Sequence, residues 1–311
     1  MTVLKIGLVD LDTSHPGSFV PILRKLGHEV AAVYDGGIIN PEGYAAKFAQ
    51  DQGIATVCES VADMVDRVDI ALIHSCDWDI HIERARPFVE AGKAVFLDKP
   101  IAGNVRDLNQ IVQWVKDGAR ITGGSSLRSC NEVREWRTQD VPAEEWVYAL
   151  AGCAVDEFNY GIHAYSMLHG LMGPGVRQVR YIGGSAESQR QYELMWEDGR
   201  RGVVSVGKTS GYLPFYANVV TQKRVDYIKV NNGNLYQSLL ETVLPYLAGS
   251  APADIAIEQL VEVELAAIAA KLSFEQGGAT IALNEIPESY AGYDGAVFAK
   301  SYKELKYPSA K

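Results

Sequence analysis

The sequence predicts an α/β fold, with a doubly wound parallel sheet in residues 1–123 and an α+β domain with an open, largely antiparallel sheet in residues 124–311. Three observations predict it. The chain has 311 residues, short apolar strands alternate with amphipathic helices in the first part, and the pattern changes after Gly123-Gly124. Because a chain of this length usually exceeds one compact core, we expect two domains.

The first domain is predicted from six apolar segments separated by helical patterns. The run at 68–73 is almost continuously apolar, as expected for a strand that is covered on both faces of a parallel sheet. Gly92 is a helix stop, and Asn104 is a candidate cap for the helix that follows. The predicted strands lie near 3–9, 28–34, 54–57, 68–73, 93–97 and 120–123. Strands that alternate with helices in this way indicate a doubly wound sheet.

The second domain shows strands with alternating polarity instead. Segments 192–196 and 203–206 are joined by Glu197-Asp198-Gly199-Arg200, which predicts an antiparallel hairpin. The remaining predicted elements are strands at 213–221 and 224–230 and helices at 160–171, 235–247 and 256–275. We expect one face of this open sheet to be available to a partner subunit, giving a homodimer or a homotetramer.

Composition and charge exclude several classes of protein. With 47% apolar and 22% charged residues, the chain has the composition of an ordinary globular protein. A net charge of −10 argues against a nucleic-acid partner. No apolar run approaches the roughly 18 residues of a membrane span, and the amino terminus lacks a signal-peptide pattern, so we expect a cytoplasmic protein with no membrane partner. The scattered Cys58, Cys76, Cys130 and Cys153 predict reduced thiols.

Lys99 is the strongest candidate for a functional residue. It follows the apolar strand Val95-Phe96-Leu97 and precedes Pro100, which favours extended backbone geometry at Lys99. Ligands bind at the carboxyl ends of the strands in open α/β sheets. An ordinary surface lysine in a strand–helix loop is the alternative interpretation.

Three segments together resemble the Gfo/Idh/MocA family in order and spacing. They are His81-Ile82-Glu83-Arg84-Ala85, the strand that leads into Asp98-Lys99-Pro100, and Gly161-Ile162-His163. The resemblance implies a Rossmann domain that binds NAD or NADP and a hydride transfer to or from a hydroxyl or carbonyl group of a sugar or polyol. It further implies that Lys99 contacts the substrate hydroxyl and nicotinamide, that His163 is the acid/base, and that Asn159 stands where many members have an aspartate.

The phosphate-binding loop departs from the family pattern. When G-x-G-x-x-G is aligned with Gly7–Asp12, Gly7 is kept, while Val9 adds bulk and Asp12 adds negative charge. Replacement donors are expected from Thr13, Ser14 and His15. An acidic residue at the end of the second strand hydrogen-bonds the ribose diol, so Asp35 favours NAD over NADP. The remaining candidates are Ser75, His81 and Asp98 for the cofactor, and Arg128 and Tyr212 for the substrate.

Two alternatives to a dehydrogenase remain open. The same fold could use transient oxidation for elimination or hydration of a sugar derivative, or the chain could be a cofactor-free, ligand-binding relative. The latter is suggested by Val9, Asp12 and Asn159. No metal is expected, because Asp77, Asp79 and His81 do not share one face of a helix.

Overall fold

The computed structural model describes residues 3–185 and 188–308. A six-stranded, all-parallel sheet has the order β3-β2-β1-β4-β5-β6, so the chain reverses direction across the sheet between β1 and β4. All four residues of β4 and of β5 are buried, because helices cover both faces of the sheet. Its strands are β1 (Lys5–Val9), β2 (Glu29–Tyr34), β3 (Thr56–Val57), β4 (Ile70–Ile73), β5 (Ala94–Leu97) and β6 (Ile121–Gly123).

A seven-stranded sheet with the order β12-β11-β7-β10-β9-β8-β13 forms the second layer. All neighbouring strands are antiparallel except β7 and β10, which run parallel. Its strands are β7 (Trp146–Gly152), β8 (Val176–Gly184), β9 (Gln189–Trp196), β10 (Arg201–Gly207), β11 (Tyr216–Thr221), β12 (Val225–Lys229) and β13 (Ile281–Ala282). Burial alternates along β11, as expected for a sheet with one covered face.

Ten α-helices connect and cover the two sheets in the described parts of the chain. They are α1 (His15–Lys25), α2 (Tyr44–Gln52), α3 (Val61–Val65), α4 (His81–Glu90), α5 (Val105–Lys116), α6 (Asn131–Arg137), α7 (Ile162–Met172), α8 (Leu235–Leu247), α9 (Ile257–Glu275) and α10 (Gly295–Lys306). The Asn104 side chain accepts a hydrogen bond from the backbone of Asp107, and so caps α5 as expected.

Two of the late helices return to the first sheet. Leu239, Leu240 and Val243 of α8 share one apolar cluster with residues of β1 and α1, and α10 packs beside the loops that follow β2 and β4. The predicted boundary between residues 123 and 124 separates the two sheets, but residues on its far side complete the layers around the first one. The last helix therefore lies where it can affect a site in the first domain.

The predicted fold class is confirmed by both sheets. The predicted strands of the first domain, the hairpin and the helices at 235–247 and 256–275 all appear within a few residues of their expected bounds. The strands β7 and β8 and the helix α10 were not among the predicted elements. No helix in residues 3–185 and 188–308 has the length and apolar character of a membrane span.

Candidate active site

Lys99 lies in a cleft between the two sheets. It directly follows Asp98 at the carboxyl end of β5, and its ammonium group is partly buried. The Nζ atom donates hydrogen bonds to the backbone oxygen of Asn159 at 2.9 Å and to Oδ1 of Asn159 at 3.1 Å. Asn159 precedes α7 in the second domain. The structure therefore brings together two of the predicted catalytic residues from opposite sides of the cleft.

The charge on Lys99 is balanced by two neighbouring carboxylates. Burial lowers the pKa of Lys99 from its ordinary value, and the charges of Asp98 and Asp156 oppose that change. Oδ1 of Asp156 accepts the backbone N–H groups of Phe158 and Tyr160, each at 2.9 Å. Burial also raises the pKa of Asp156. An ammonium group in this setting can polarise an oxygen atom that is placed beside it.

His163 occupies the first turn of α7 and is buried. Its Nδ1 atom lies 2.6 Å from Oγ of Ser125, and the rings of Tyr160 and Phe215 pack against it at centroid distances of 5.3 Å and 4.9 Å. Burial and, secondarily, the nearby charge of Lys99 hold the pKa of His163 well below its usual value. The imidazole is therefore neutral near pH 7 and able to accept a proton.

Two histidines, His15 and His74, contact the carboxylate of Asp98. Oδ2 of Asp98 lies 2.6 Å from Nδ1 of His15 and 2.8 Å from Nδ1 of His74. Although burial acts to raise it, the two imidazoles hold the pKa of Asp98 well below its ordinary value. The second oxygen accepts the backbone N–H of Lys99 at 2.8 Å. Asp98 thus fixes the orientation of His15 and the backbone at Lys99.

A cavity of about 810 Å³ opens beside these groups. His15 and Lys99 line it from the first domain, Asp156 and Asn159 line it from the second, and α10 forms a further wall through Phe298 and Lys306. Thr13 and Ser14 also line it, whereas His163 does not. The cavity is large enough for a small polyol.

The phosphate-binding loop begins later than the sequence alignment placed it. Gly7 and Val9 lie inside β1 and are buried, and a Cβ atom at Gly7 would collide with the side chain of Met64. Both residues are thus engaged in the core of the sheet, and their contact with a cofactor stays a prediction. The loop starts at Asp10, whose φ of 59° is the left-handed conformation that usually favours glycine.

This shift in register puts two aspartates and a histidine at the positions of the three loop glycines. They are Asp10, Asp12 and His15. The Asp10 carboxylate accepts hydrogen bonds from the backbone of Gly36 at 2.8 Å, from the Ser75 hydroxyl, and from Nε of Arg84 at 3.0 Å. Asp10 thus ties together the ends of β1, β2 and β4.

Asp12 is 1% exposed, and its Oδ2 accepts the backbone N–H of Cys76 at 2.9 Å. Its Oδ1 atom is buried without a hydrogen-bond partner among the described residues. Burial, together with the charges of Asp10 and Asp35, raises the pKa of Asp12 from 3.8 to about 7. A protonated or partly charged carboxyl group thus stands where a pyrophosphate requires close approach to backbone.

The other predicted cofactor residues are largely engaged within the protein. Asp35 accepts the backbone N–H of Gly37 at 2.9 Å and Nδ2 of Asn40 at 2.7 Å. His81 has 0% exposure, and its two ring nitrogens pair with the backbone oxygens of Ile101 and Ser75, both at 2.9 Å. Both polar atoms of the His81 ring are thus used in the core, and its contact with a cofactor stays a prediction.

The two outlying substrate candidates lie away from the cavity. Arg128 is buried and forms a 2.6 Å ion pair with Asp254. The Tyr212 side chain is 56% exposed, and its hydroxyl accepts a hydrogen bond from Asn232 at 3.0 Å. Neither side chain lines the cavity that contains Lys99. Substrate contact by Arg128 and Tyr212 therefore stays a prediction that this cavity does not support.

The last helix crosses the edge of the sheet where a dinucleotide would bind. Its Lys306 donates to the backbone oxygen of Asp12 and to Oδ1 of Asn40, each at 2.8 Å. Dinucleotides lie over the carboxyl ends of the strands at the point where strand order reverses, here between β1 and β4. The helix thus contacts part of the edge that the adenosine and phosphate groups of a dinucleotide cover in related folds.

Local sequence signals mark α10 as a helix, although the predicted elements did not include it. Asp294 caps the helix by accepting the backbone N–H of Val297, and Val297, Phe298 and Ala299 begin an apolar pattern that Tyr302 continues. Basic residues follow in the last turn. Helix formation was therefore predictable, whereas its position over the groove depends on distant contacts.

Comparison with known proteins supports the fold and the family. The family model described as an oxidoreductase family with an NAD-binding Rossmann fold (Gfo/Idh/MocA) matches residues 19–122. Inositol 2-dehydrogenase of Gluconacetobacter diazotrophicus is 31% identical over 88 residues. That stretch is 28% of this chain and 25% of the relative, so only about a quarter of that protein is matched.

Solved structures extend the likeness to both domains. Scyllo-inositol dehydrogenase of Lactobacillus casei, solved with NAD(H) and scyllo-inositol, has a TM-score of 0.76 at 15% identity, covering 91% of this chain and 100% of that one. Myo-inositol dehydrogenase of the same organism, solved with NAD(H) and myo-inositol, has a TM-score of 0.75 at 17% identity, covering 92% and 98%. At such identities the likeness shows the fold alone. Residues 19–122, which form most of the N-terminal domain, thus match the Gfo/Idh/MocA family of oxidoreductases.

Proposed function

We propose that the chain is a dehydrogenase of the Gfo/Idh/MocA type that acts on a hydroxyl or carbonyl group of a polyol or sugar. The observation that carries the proposal is the meeting of Lys99, from the end of β5, with Asn159, at the start of α7, beside a cavity of about 810 Å³. The inositol dehydrogenases with the same fold support a polyol as the substrate class.

Lys99, His163 and Asn159 have separate proposed roles at the substrate oxygen. The Lys99 ammonium polarises that oxygen and stabilises the negative charge that develops on it. His163 is buried beside Ser125, and with its lowered pKa it is the proposed acceptor of the hydroxyl proton. Asn159 holds Lys99 through two hydrogen bonds but cannot replace the charge of an aspartate.

We propose NAD rather than NADP as the dinucleotide that binds when α10 is displaced. Asp35 directly follows β2, and a carboxylate at that position repels a 2′-phosphate. We further propose that the chain is cytoplasmic and forms a homodimer or homotetramer through the open face of the second sheet. Val147, Val225 and Tyr227 expose apolar surface on that sheet, with exposed fractions of 54%, 69% and 62%.

A second candidate function is a ligand-binding protein that has lost the dinucleotide. The side chains of Asp10 and Asp12 at the glycine positions favour it, because they hinder the close approach of a pyrophosphate to the backbone independently of α10. Such a protein would still bind a polyol beside Lys99.

Binding and turnover assays distinguish the candidates. Calorimetry and thermal shift are measured with NAD, NADH, NADP and NADPH, and a panel of inositols and sugars is then tested for production of reduced dinucleotide. A dehydrogenase binds NAD(H) and reduces NAD in the presence of one polyol class. Polyol binding without any dinucleotide binding, including in variants with α10 displaced, would establish the second candidate and contradict the first. Turnover of a sugar without net NADH would indicate transient oxidation.

A further inference from the structure

We propose that α10 is a built-in occupant of the dinucleotide groove, and that the helix and the dinucleotide exclude each other. The helix contacts the loops that follow β1, β2 and β4, through Asp12, Ile38 to Asn40, and Cys76 to Asp79. These are the three loops that border the point where the strand order reverses. A dinucleotide in its usual place at that edge would need the same surface.

Polar contacts fix the carboxyl-terminal half of the helix. Besides the two bonds of Lys306, Nζ of Lys303 donates to the backbone oxygen of Ile38 at 2.7 Å. The Tyr307 hydroxyl lies 3.1 Å from Oδ1 of Asn40. Asn40 also donates to Asp35, the residue expected to hold the ribose diol. The helix thus uses, directly or through Asn40, the polar groups that would receive the adenosine ribose.

Apolar and backbone contacts fix the amino-terminal half. Ala299 is 1% exposed and belongs to a small cluster with Ile39 and Cys76. The ring of Phe298 lies 5.2 Å from that of Trp78. The backbone N–H of Gly295 donates to Oδ2 of Asp79 at 2.8 Å, and a Cβ at Gly295 would come within 2.8 Å of the backbone nitrogen of Trp78. The start of the helix is therefore fitted closely to the loop after β4.

The surface that α10 buries against the three loops is small, so the helix can detach. Of the twelve residues of α10, only Gly295 and Ala299 are buried, while Val297 and Leu305 are 63% and 82% exposed. A short helix with so little buried surface belongs to the low-stability part of a structure. The apparent affinity for a ligand equals the intrinsic affinity multiplied by the fraction of molecules in which the site is open. Displacing α10 therefore increases dinucleotide affinity.

The main test compares two substitutions on one helix. Ala299→Gln places a longer polar side chain in the buried contact with Ile39 and Cys76, and Ala296→Gln makes the same change at an exposed position three residues earlier. NADH affinity is measured by fluorescence titration. Alkylation of Cys76, followed by peptide mass spectrometry, reports independently whether the helix has left. We expect Ala299→Gln to bind NADH at least about tenfold more tightly than the parent and to react faster at Cys76, and we expect no change for Ala296→Gln.

A second test variant and its control keep the proposal testable if Ala299→Gln does not fold. Lys303→Gln combined with Lys306→Gln removes polar contacts of α10 at its surface, and Lys300→Gln is the exposed control. Removing two positive charges by itself weakens the attraction for a dinucleotide. Tighter NADH binding in the double variant would therefore come from opening of the groove. Unchanged or weaker binding in both test variants, with Cys76 exposed, overturns the proposal.

The inference relies on the proposed function only for the choice of NADH as the probe. If the displaced variants bind NADH more tightly but oxidise no polyol, the proposed dehydrogenase function fails and the role of α10 stands. If the parent binds NADH as tightly as the variants and oxidises a polyol, the role of α10 fails and the proposed function stands.

Discussion

Replacement of Asp12 by asparagine tests the electrostatics at the centre of the altered loop. The asparagine side chain keeps an oxygen for the backbone N–H of Cys76 and puts a neutral amide where Oδ1 lacks a partner among the described residues. The carboxyl group has a pKa raised from 3.8 to about 7, first by burial and then by the charges of Asp10 and Asp35. The substitution removes this ionisation at nearly constant shape.

The raised pKa of Asp12 determines how the stability of the fold changes with pH. The folded protein binds this proton more tightly than the unfolded chain does, so the stabilisation is complete below pH 3.8 and is lost as the pH rises through about 7. Each pH unit in that window corresponds to about 1.4 kcal/mol. Between pH 5 and 8, the parent should therefore lose about 2 to 3 kcal/mol relative to Asp12→Asn.

Urea unfolding at pH 5 and at pH 8 measures the difference. The free energy of unfolding is compared among the parent, Asp12→Asn and the exposed control Asp66→Asn. We expect Asp12→Asn to gain stability over the parent on going from pH 5 to pH 8, and Asp66→Asn to follow the parent. If the difference between parent and Asp12→Asn is the same at both pH values, Asp12 does not carry a raised pKa, and the account of the loop is wrong.

Three more predictions concern the cleft and are measured in the variant with α10 displaced. Lys99→Ala should lower turnover by about 100-fold or more with little change in NADH affinity, and unchanged turnover would remove Lys99 from the mechanism. Since the pKa of His163 lies well below its usual value, kcat/KM should stay level from about pH 8 to about pH 6 if His163 is the base. A decline centred near pH 6.5 that is absent from His163→Gln would contradict the lowered pKa of His163. The charges of Asp156 and Asp98 oppose the lowering of the Lys99 pKa by burial. Asp156→Asn should therefore move the alkaline limb of the pH–rate profile to lower pH. An unmoved limb would show that the charges of Asp156 and Lys99 are not coupled.

The predictable part of the structure is the part set by local patterns. The buried run of β4, the cap at Asn104 and the hairpin around Gly199 depend on neighbouring residues, and all appear as expected. Lys99 could be singled out because a polar residue after a buried strand lies at the ligand-binding edge.

The unpredicted part depends on register and on distant contacts. The loop glycines were placed three residues early, because Gly7 resembles a phosphate-loop glycine although it serves packing against Met64 inside β1. The pairing of Arg128 with Asp254 joins residues far apart in sequence, and no local pattern marks it. The position of α10 likewise depends on residues far away in sequence, because Lys306 contacts Asp12 and Asn40.

The altered loop and the last helix are two parts of one arrangement. The amino terminus of α1 attracts negative charge and in related folds receives a phosphate. Here the Asp12 carboxyl group lies just before that helix, and Lys306 binds the backbone oxygen of the same residue. The family match begins at residue 19, after this loop. Lys99 and Lys306 both line the cavity, and Lys306 also bonds to Asn40. The altered loop sequence and the contact of Lys306 therefore lie at the same place, where a dinucleotide phosphate binds in related folds. Lys99 and its neighbours in the cleft keep a geometry that can act on a hydroxyl group. A chain that only needed to lose the cofactor would require no fitted contact between Gly295 and the loop after β4. The close fit of α10 is therefore the feature that favours controlled access over simple loss.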